Sequence, residues 1–532
     1  ALGSDDLNQL SSQQFAALGS AQVGALSSAQ LAALQTEDFG ALSTAQLRGI
    51  RPEVLGALGT DLISQLASSD VAALTSSQIA VLDSADLAVL GANALSALTS
   101  GQLGVLSASL LSGLASDQLR ALGTHQLVGL TSSQLGALAT DDLNTFTTNQ
   151  FAALTSRQIA SLSTHQVASL ETDDLAVLST AQIRALTTAQ LAGLDSADVA
   201  VLSSTQLAAL STLQLRAIET ADIAGLSAST LATLATNQIA ALTTAQVNAL
   251  GSDQLQALTT AQLRALGSAQ LAALTSDDLN TLTAEQLGSL STARLAALSS
   301  TQLNSMASDD LLALTTQQVR GLTTTQLAGL ATDVLNTLTT AQFAALSTRQ
   351  IAALGTDQVA ALESADLMAL STAQLRGLGL GAVAALDSTD LGALTSVQLR
   401  SLSSAQLRAI DTADINGISG DNLATLSSAQ ISVLTSAQLA ALGSEQLQAL
   451  GSAQLRGLTT QQLSQLGTED LNMLTSAQFG MLSSTQIAGL TVTQASSLAS
   501  DDLAALSTQQ MRGFDARDLA AMDSTDMGLL SA

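Results

Sequence analysis

The chain has 532 residues, and it contains no Cys, Trp or Tyr, one Pro and seven Phe. Globular cores of this length normally use many aromatic side chains, so this composition indicates a repetitive core built mainly from Leu and Ala. Sixteen basic residues against 43 acidic ones give a net charge of −27, and without a basic patch we expect no nucleic-acid partner. No apolar run approaches the roughly 18 residues of a membrane-spanning helix, so we expect no membrane insertion. The lack of Cys excludes disulfides and thiolate metal sites.

A repeat of eight residues runs along the sequence. Every eighth residue from Leu2 to Leu530 is Leu, Ile, Phe or Met, and we number this residue position 1 of an octad. Position 6, which begins at Leu7, is also apolar throughout. No insertion or deletion breaks the register, and in stacked repeats each unit contacts only its neighbours. The sequence therefore predicts a single continuous octapeptide-repeat solenoid over residues 1–532.

A helix-start signal recurs in these octads, as in Ser43-Thr44-Ala45-Gln46. Ser, Thr, Gly or Asp at position 2 and Gln or Asp at position 5 form a repeated capping box, with position 2 as the N-cap and position 5 as N3. Pro52 supports this phase because it falls at position 3, the N1 site, where a missing N–H costs nothing. The pattern predicts an all-α solenoid of very short helices, one per octad. A β-solenoid is the alternative.

A helical wheel at roughly 100° per residue separates buried from exposed positions. Positions 1 and 6 fall side by side and form the buried stripe, while positions 4 and 7 point to solvent. Most Arg residues are at position 7, which agrees with this assignment. An isolated helix of about seven residues is unstable in water, so each helix must be held by its neighbours.

Asp replaces Gln at position 5 in a pattern that indicates a superhelix. Asp6, Asp142, Asp278 and Asp414 lie 136 residues apart, and the other Asp residues recur mainly at steps of 3, 4 and 7 octads. Residues at these steps lie on one side of a superhelix with about 3.4 octads per turn, just as regularly spaced apolar residues lie on one side of an amphipathic helix. Roughly 20 turns, each advancing one helix packing distance, predict a rod of about 200 Å. Recent duplication of a sequence segment is an alternative explanation of the 136-residue spacing.

The sequence shows no catalytic or cofactor-binding motif. It has no P-loop, no GxSxG and no HExxH, and its two histidines, His125 and His165, both occupy the exposed position 4. We therefore expect no enzyme activity, no catalytic residues and no organic cofactor.

Pairs of acidic residues begin several of the predicted helices. Carboxylates in a first turn meet free N–H groups and the positive end of the helix dipole, which is the simpler interpretation. Stacked carboxylates on one face can also share a hard cation such as calcium. The calcium candidates are Asp5, Asp6, Asp141, Asp142, Asp277 and Asp278.

The segment from Leu258 to Leu266 reads Leu-Thr-Thr-Ala-Gln-Leu-Arg-Ala-Leu. It resembles the long Leu-Thr-x-x-Gln-Leu-x-x arrays of very large secreted or surface proteins of Gram-negative bacteria, and the resemblance covers the whole chain. The resemblance implies a location outside the cell or on the cell surface and a role as an adhesin or fibre component. It carries over no site residues.

Two functions follow as hypotheses. The first is a structural subunit of an extracellular bacterial filament or sheath, whose partners are other copies of the chain joined end to end, because uncapped solenoid ends expose apolar residues. The second is the stalk or spacer of a large surface adhesin that carries a separate binding tip.

Overall fold

The computed structural model describes residues 3–530, and it divides into two compact units, Ala1–Leu266 and Gly267–Ala532. The boundary falls inside an octad without interrupting the repeat. The prediction of one continuous solenoid domain stays a prediction, and each unit is described by itself. Leu2, the first predicted position-1 residue, lies outside the described residues.

Both units are built from short helices, and residues 3–530 contain no strand. This confirms the all-α solenoid and rules out the β-solenoid alternative for that part of the chain. The helices of unit 1, numbered α1 to α33 in chain order, are Ser4–Leu7, Ser12–Ala16, Ser20–Gly24, Ser28–Ala32, Thr36–Gly40, Thr44–Gly49, Pro52–Leu55, Thr60–Ile63, Ser68–Ala73, Ser76–Ile79, Ser84–Val89, Ala92–Leu95, Ser100–Gly104, Ala108–Leu111, Ser116–Ala121, Thr124–Leu127, Ser132–Ala137, Thr140–Leu143, Thr148–Ala153, Ser156–Ser161, Thr164–Ala168, Thr172–Ala176, Thr180–Ala185, Thr188–Leu191, Ser196–Ala200, Ser204–Ala209, Thr212–Ala217, Thr220–Ile223, Ala228–Leu231, Thr236–Ala241, Thr244–Asn248, Ser252–Ala257 and Thr260–Ala265.

Unit 2 continues the pattern with one irregular octad, in which a 3-10 helix, Ile415–Gly417, replaces the α-helix. Its α-helices, numbered α34 to α65, are Ser268–Ala273, Ser276–Thr281, Ala284–Ser289, Thr292–Leu295, Ser300–Asn304, Ser308–Leu312, Thr316–Gly321, Thr324–Ala328, Thr332–Leu335, Thr340–Ala345, Thr348–Ile351, Thr356–Ala360, Ser364–Ala369, Thr372–Gly377, Leu380–Ala384, Ser388–Ala393, Ser396–Ser401, Ser404–Ala409, Gly420–Leu423, Ser428–Ser432, Ser436–Ala440, Ser444–Gln448, Ser452–Gly457, Thr460–Ser464, Thr468–Leu471, Ser476–Phe479, Ser484–Ile487, Val492–Ala495, Ser500–Ala504, Thr508–Met511, Ala516–Ala521 and Ser524–Leu530.

The helices begin where the capping pattern predicted. Ser43 has an extended backbone as the N-cap, and helix α6 starts at the next residue, Thr44. Pro52 is the first residue of α7, as its missing N–H requires. Helix α6 ends when the position-1 residue of the next octad, Ile50, returns to an extended backbone with ψ of 131°. One octad therefore encodes one short helix and the bend that follows it.

Positions 1 and 6 form the interior of each unit. In unit 1 Leu119 and Leu122 keep 0% and 3% of their surface exposed, and in unit 2 Leu399 and Leu402 keep the same fractions. Within each unit, helices pack on the helix three places further along, as α20 does on α23 in unit 1 and α37 does on α40 in unit 2. Burying one such side chain contributes roughly 1.5–3 kcal/mol, so packing between turns holds helices that are too short to be stable alone.

Pairs of glycines lie at places where successive turns approach each other closely. Gly104 at position 7 faces Gly129 at position 8, and a Cβ on Gly129 would overlap the carbonyl oxygen of Ser100. The same arrangement occurs at Gly24 with Gly49 and at Gly392 with Gly417. None of the described residues has a positive φ, so glycine is needed here for its missing side chain and not for its backbone freedom.

Gly129→Ala is expected to lower the free energy of unfolding by about 1–3 kcal/mol, because the added methyl group must displace the neighbouring turn. Gly136 in α17 is the matched control, since a Cβ there would meet no atom within 4 Å. Gly136→Ala should raise the free energy of unfolding by about 0.5–1 kcal/mol, because Ala loses less backbone entropy in a helix. Thermal unfolding followed by circular dichroism measures both, and equal effects of the two would contradict the close approach.

Candidate functional site

The Gln side chain at position 5 caps its own helix through its oxygen. At α6, the backbone N–H and the hydroxyl of Ser43 each donate to Gln46 Oε1 over 2.8 Å. In return the Gln46 N–H donates to Ser43 Oγ over 3.4 Å. This reciprocal pair is the predicted capping box, and it satisfies N–H groups that a helix start leaves without partners.

The nitrogen of the same side chain reaches the preceding turn. Gln46 Nε2 donates to the carbonyl oxygens of Leu18 and Phe15 over 2.8 and 3.0 Å, and these residues lie 28 and 31 positions earlier. Gln182 and Gln326 form the same pair of bonds. We call this arrangement the glutamine clamp: Oε1 caps one helix while Nε2 binds two carbonyl oxygens on the turn before it.

The glutamine clamp fixes how the turns stack. Its two acceptors belong to the octads three and four places earlier, so one turn holds between three and four octads. This agrees with the value of about 3.4 predicted from the spacing of Asp residues. The side chain itself is buried, with Gln126 at 0% exposure. A buried amide is stabilising only when its donors and acceptors are paired, and the clamp pairs them.

The sequence predicted the capping half of the clamp and missed the half between turns. A signal for the missed half was present, because position 5 never carries Glu. Glu serves a capping box as well as Gln does, but its carboxylate cannot donate to a carbonyl oxygen. Among side chains of this length only the amide occurs, which indicates that its N–H groups have a partner.

Side chains at position 7 add bonds between turns at the outer surface. Asn144 Nδ2 donates to the carbonyl oxygen of Ser169, and Arg376 Nε donates to that of Ser401, each over 2.7 Å. The acceptors lie 25 residues later, at the end of a helix on the next turn. A donor or positive charge at a helix C-terminus is favourable. The solvent-facing placement of position 7 was predicted, whereas these backbone contacts were not.

Asp replaces Gln at position 5 in a minority of octads, and many of these carboxylates are buried. Asp174 keeps 3% and Asp390 keeps 4% of its surface exposed. An ionised carboxylate accepts hydrogen bonds but has no proton to give to the preceding turn. A hydroxyl compensates in part, since Ser364 Oγ donates to Asp390 Oδ1 over 3.2 Å. These octads therefore lack the donor half of the clamp.

Burial raises the pKa of these carboxyl groups. The pKa of Asp174 rises to about 6 through burial first, with added repulsion from Glu171 and Asp173. Burial is also the main cause of a raised pKa at Asp86, Asp198, Asp222, Asp310, Asp366, Asp390 and Asp502. Burial and like charges both oppose ionisation, so the folded chain binds protons here more tightly than the unfolded chain does.

The calcium candidates lie in the first turns of three helices. Asp5 and Asp6 are in α1, Asp141 and Asp142 in α18, and Asp277 and Asp278 in α35. Asp278 Oδ2 accepts from the Thr275 N–H over 2.8 Å, as expected of a carboxylate that stabilises a helix start. Within residues 3–530, no group of three or more His, Asp or Glu side chains is placed to hold a metal ion. The calcium hypothesis stays a prediction.

Neither histidine lies in a buried site, and one groove between turns of unit 2 lacks acidic and His side chains. His125 and His165 are both exposed, on α16 and α21. A groove of about 390 Å³ between two turns is lined by Arg408, Thr459 and Gln461 among other residues, and its lining includes no His, Asp or Glu. In the described part of the chain, no helix has the length and apolar character needed to cross a bilayer.

One eight-residue unit, repeated with the same buried positions and the same bonds between turns, defines a solenoid repeat protein. The ALTTAQ repeat family matches more than half of the chain, and the chain belongs to that family. The matched segments are residues 1–36, 31–68, 111–144, 137–172, 167–204, 215–252, 247–284, 332–364, 359–396, 383–419, 407–444, 417–452 and 439–469.

No curated protein matches the chain. One similar solved structure, "Structure of APUM23-GGAUUUGACGG", is 14% identical, covers 81% of this chain and 91% of that chain, and has a TM-score of 0.14. Another, "Structure of APUM23-GGAGUUGACGG", is 14% identical, covers 92% and 89% of the two chains, and has a TM-score of 0.13.

These comparisons correct the partner prediction, which limited the partners to other copies of the chain and excluded nucleic acid. The descriptions of both solved structures join APUM23 to a nucleotide sequence, and we withdraw the exclusion. The exclusion rested on the net charge of −27, which describes the whole chain, whereas exposed Arg side chains at position 7 each carry a local positive charge. TM-scores this low carry no argument about what the present chain binds.

Proposed function

We propose that the chain is a structural protein and not an enzyme, and that it serves as a subunit of an extracellular bacterial filament or sheath. The observation that carries this proposal is the glutamine clamp. Side chains such as Gln182 bind the backbone of the solenoid itself on turn after turn, so the repeated polar chemistry maintains a shape. Repeats that contact only their neighbours allow such a shape to be extended by adding units.

An extracellular location is part of the proposal. It is supported by the resemblance to octad arrays of secreted and surface proteins, and by a sequence with no Cys and a net charge of −27. A large negative charge keeps individual chains apart at low ionic strength, and salt screens it over a distance of about 10 Å at 0.1 M. Calcium is proposed as one cation that performs this screening.

Electron microscopy and light scattering of the purified protein test the filament proposal. We expect extended assemblies whose amount rises with salt or calcium. The control is the same protein at low ionic strength with a chelator, where repulsion keeps the chains separate. Particles of single-chain mass under every condition would contradict the filament.

The second candidate is the stalk or spacer of a large surface adhesin. The observation in its favour is the unbroken octad register from Leu2 to Leu530, because a spacer needs length and no inserted loops. In the same experiment this candidate is favoured by single particles that do not assemble at any salt concentration.

A further inference from the structure

Three buried carboxylates follow one another on successive turns of unit 1. Asp174, Asp198 and Asp222 occupy position 5 of α22 (Thr172–Ala176), α25 (Ser196–Ala200) and α28 (Thr220–Ile223). Helix α22 packs on α25, and α25 packs on α28. The side chains keep only 3%, 5% and 8% of their surface exposed. We call this row of three the aspartate seam.

Each seam residue stands where most octads carry the glutamine clamp. One octad after Asp174, Gln182 Nε2 donates to the carbonyl oxygens of Phe151 and Leu154 over 2.9 and 2.8 Å. The corresponding carbonyl groups for Asp174 belong to residues 143 and 146. An ionised Asp174 has no proton to donate to them. These junctions are therefore weaker than the ones that Gln forms.

The charged groups on the seam helices and at their N-caps are all acidic, and one cation, Arg216, lines a groove together with the N-cap Glu219. Helix α22 adds Asp173 and its N-cap Glu171, while the N-caps of α25 and α28 are Asp195 and Glu219. The flanking helices α19 (Thr148–Ala153) and α31 (Thr244–Asn248), which pack on α22 and α28, carry no titratable side chain. No Lys, Arg or His lies on any of these five helices. No cation on these helices neutralises the carboxylates, so on these helices a proton is the available counter-charge.

We propose that the aspartate seam is a proton-operated latch that loosens one side of the solenoid at neutral pH and closes it on acidification. Protonation removes three charges from a buried row, each of which is repelled by acidic neighbours. It also gives each carboxyl an O–H group, the kind of donor that Gln supplies elsewhere through its amide. The latch thus changes the strength of junctions between turns without changing the helices.

The direction of the pH effect follows from the raised pKa values of the three groups. Burial raises the pKa of Asp174 to about 6, from 3.8 in an unfolded chain, and it raises the pKa of Asp198 and Asp222 in the same direction. A group with a raised pKa contributes stability that is complete below the unfolded value and is lost as the pH rises through the folded value. For Asp174 the window therefore lies between about pH 4 and pH 6.

Unit 2 contains a shorter copy of this arrangement. Asp366 on α46 (Ser364–Ala369) and Asp390 on α49 (Ser388–Ala393) lie on helices that pack together, and burial raises the pKa of both groups. The charged groups beside them are the N-caps Glu363 and Asp387, together with Asp414 where α49 packs on the 3-10 helix. The neighbouring α43 has no titratable side chain.

Hydrogen–deuterium exchange on the intact protein at pH 7.5 and pH 5.0 tests the latch, with rates corrected for the pH dependence of chemical exchange. Amides of residues 172–176, around Asp174, should gain about tenfold protection at the lower pH, since a pKa one unit above that pH shifts the opening equilibrium tenfold. Amides around Asp198 and Asp222 should gain protection in the same direction. Residues 231–262 are the internal control, because their octads carry only Gln at position 5. They should show no comparable gain.

The Asp174→Gln, Asp198→Gln and Asp222→Gln triple variant should keep the higher protection at both pH values. A charge-matched control replaces three exposed position-4 carboxylates by Asn, at Asp117, Asp141 and Asp253. Its amide protection should depend on pH as that of the natural chain does. The proposal is overturned if amide protection in the aspartate seam rises on acidification no more than it does in residues 231–262. It is also overturned if protection in the Gln triple variant still rises on acidification. If the triple variant lacks native circular dichroism, Asp198→Asn alone is measured, and an undiminished response then overturns the proposal.

Discussion

Gln326→Glu is expected to lower the free energy of unfolding at pH 7 by about 3–5 kcal/mol, because it leaves an uncompensated charge in a buried position. Gln326 is 4% exposed, and its Nε2 donates to the carbonyl oxygens of Leu295 and Leu298 over 2.8 and 2.7 Å. Glu has the same length but brings an oxygen and a negative charge against both acceptors. The loss should shrink as the pH falls toward 4, because a protonated carboxyl can donate again.

Gln317→Glu is the matched control for this substitution. Gln317 lies one octad earlier in α40 and is exposed, so the same chemical change there should alter stability by less than about 0.5 kcal/mol. Urea unfolding followed by circular dichroism compares the two variants. Similar losses for both would show that the clamp between turns is not a major source of stability.

Leu127→Asp should have the larger effect, at least about 5 kcal/mol, because it adds a buried unpaired charge to the loss of a core side chain. Leu127 is at position 6 with 0% exposure. Its carbonyl oxygen accepts a clamp bond from Gln158 Nε2 over 2.7 Å. A shift of this residue therefore disturbs both the core and the junction to the next turn.

Val128→Asp places the same carboxylate on the adjacent residue. Val128 is 52% exposed, and the expected cost is below about 1 kcal/mol, mainly from a negative charge near a helix C-terminus. Thermal unfolding of the two variants measures the difference. Comparable melting temperatures would contradict the assignment of position 6 to the interior and position 7 to the surface.

The local part of the fold could be predicted from the sequence because it depends on residues a few positions apart. The order Ser43 to Gln46 identifies a capping box, and Pro52 fixes its phase. A helical wheel is enough to place Leu119 and Leu122 inside. These predictions needed no knowledge of how one turn lies on the next.

The contacts between turns could not be predicted in the same way. The wheel shows that position 5 lies beside the buried stripe, but only the next turn shows that Gln46 is covered and that its amide meets Leu18. Asp174 was predicted to mark one side of the superhelix, and its burial and raised pKa follow from the turns packed around it. The bond from Asn144 to Ser169 likewise joins residues 25 positions apart, beyond the reach of local periodicity.

The direction of the glutamine clamp has a consequence for biosynthesis. Each clamp donates backwards along the chain, as Gln46 does to residues no more than 31 positions earlier. A chain that emerges from a ribosome or an export channel with its N-terminus first can complete each turn using only residues that have already emerged. Short sequence separation between contacting residues also favours rapid folding. Folding can thus advance in step with emergence, so that the length of unfolded chain exposed to proteases and to aggregation is set by one turn and not by the size of the protein.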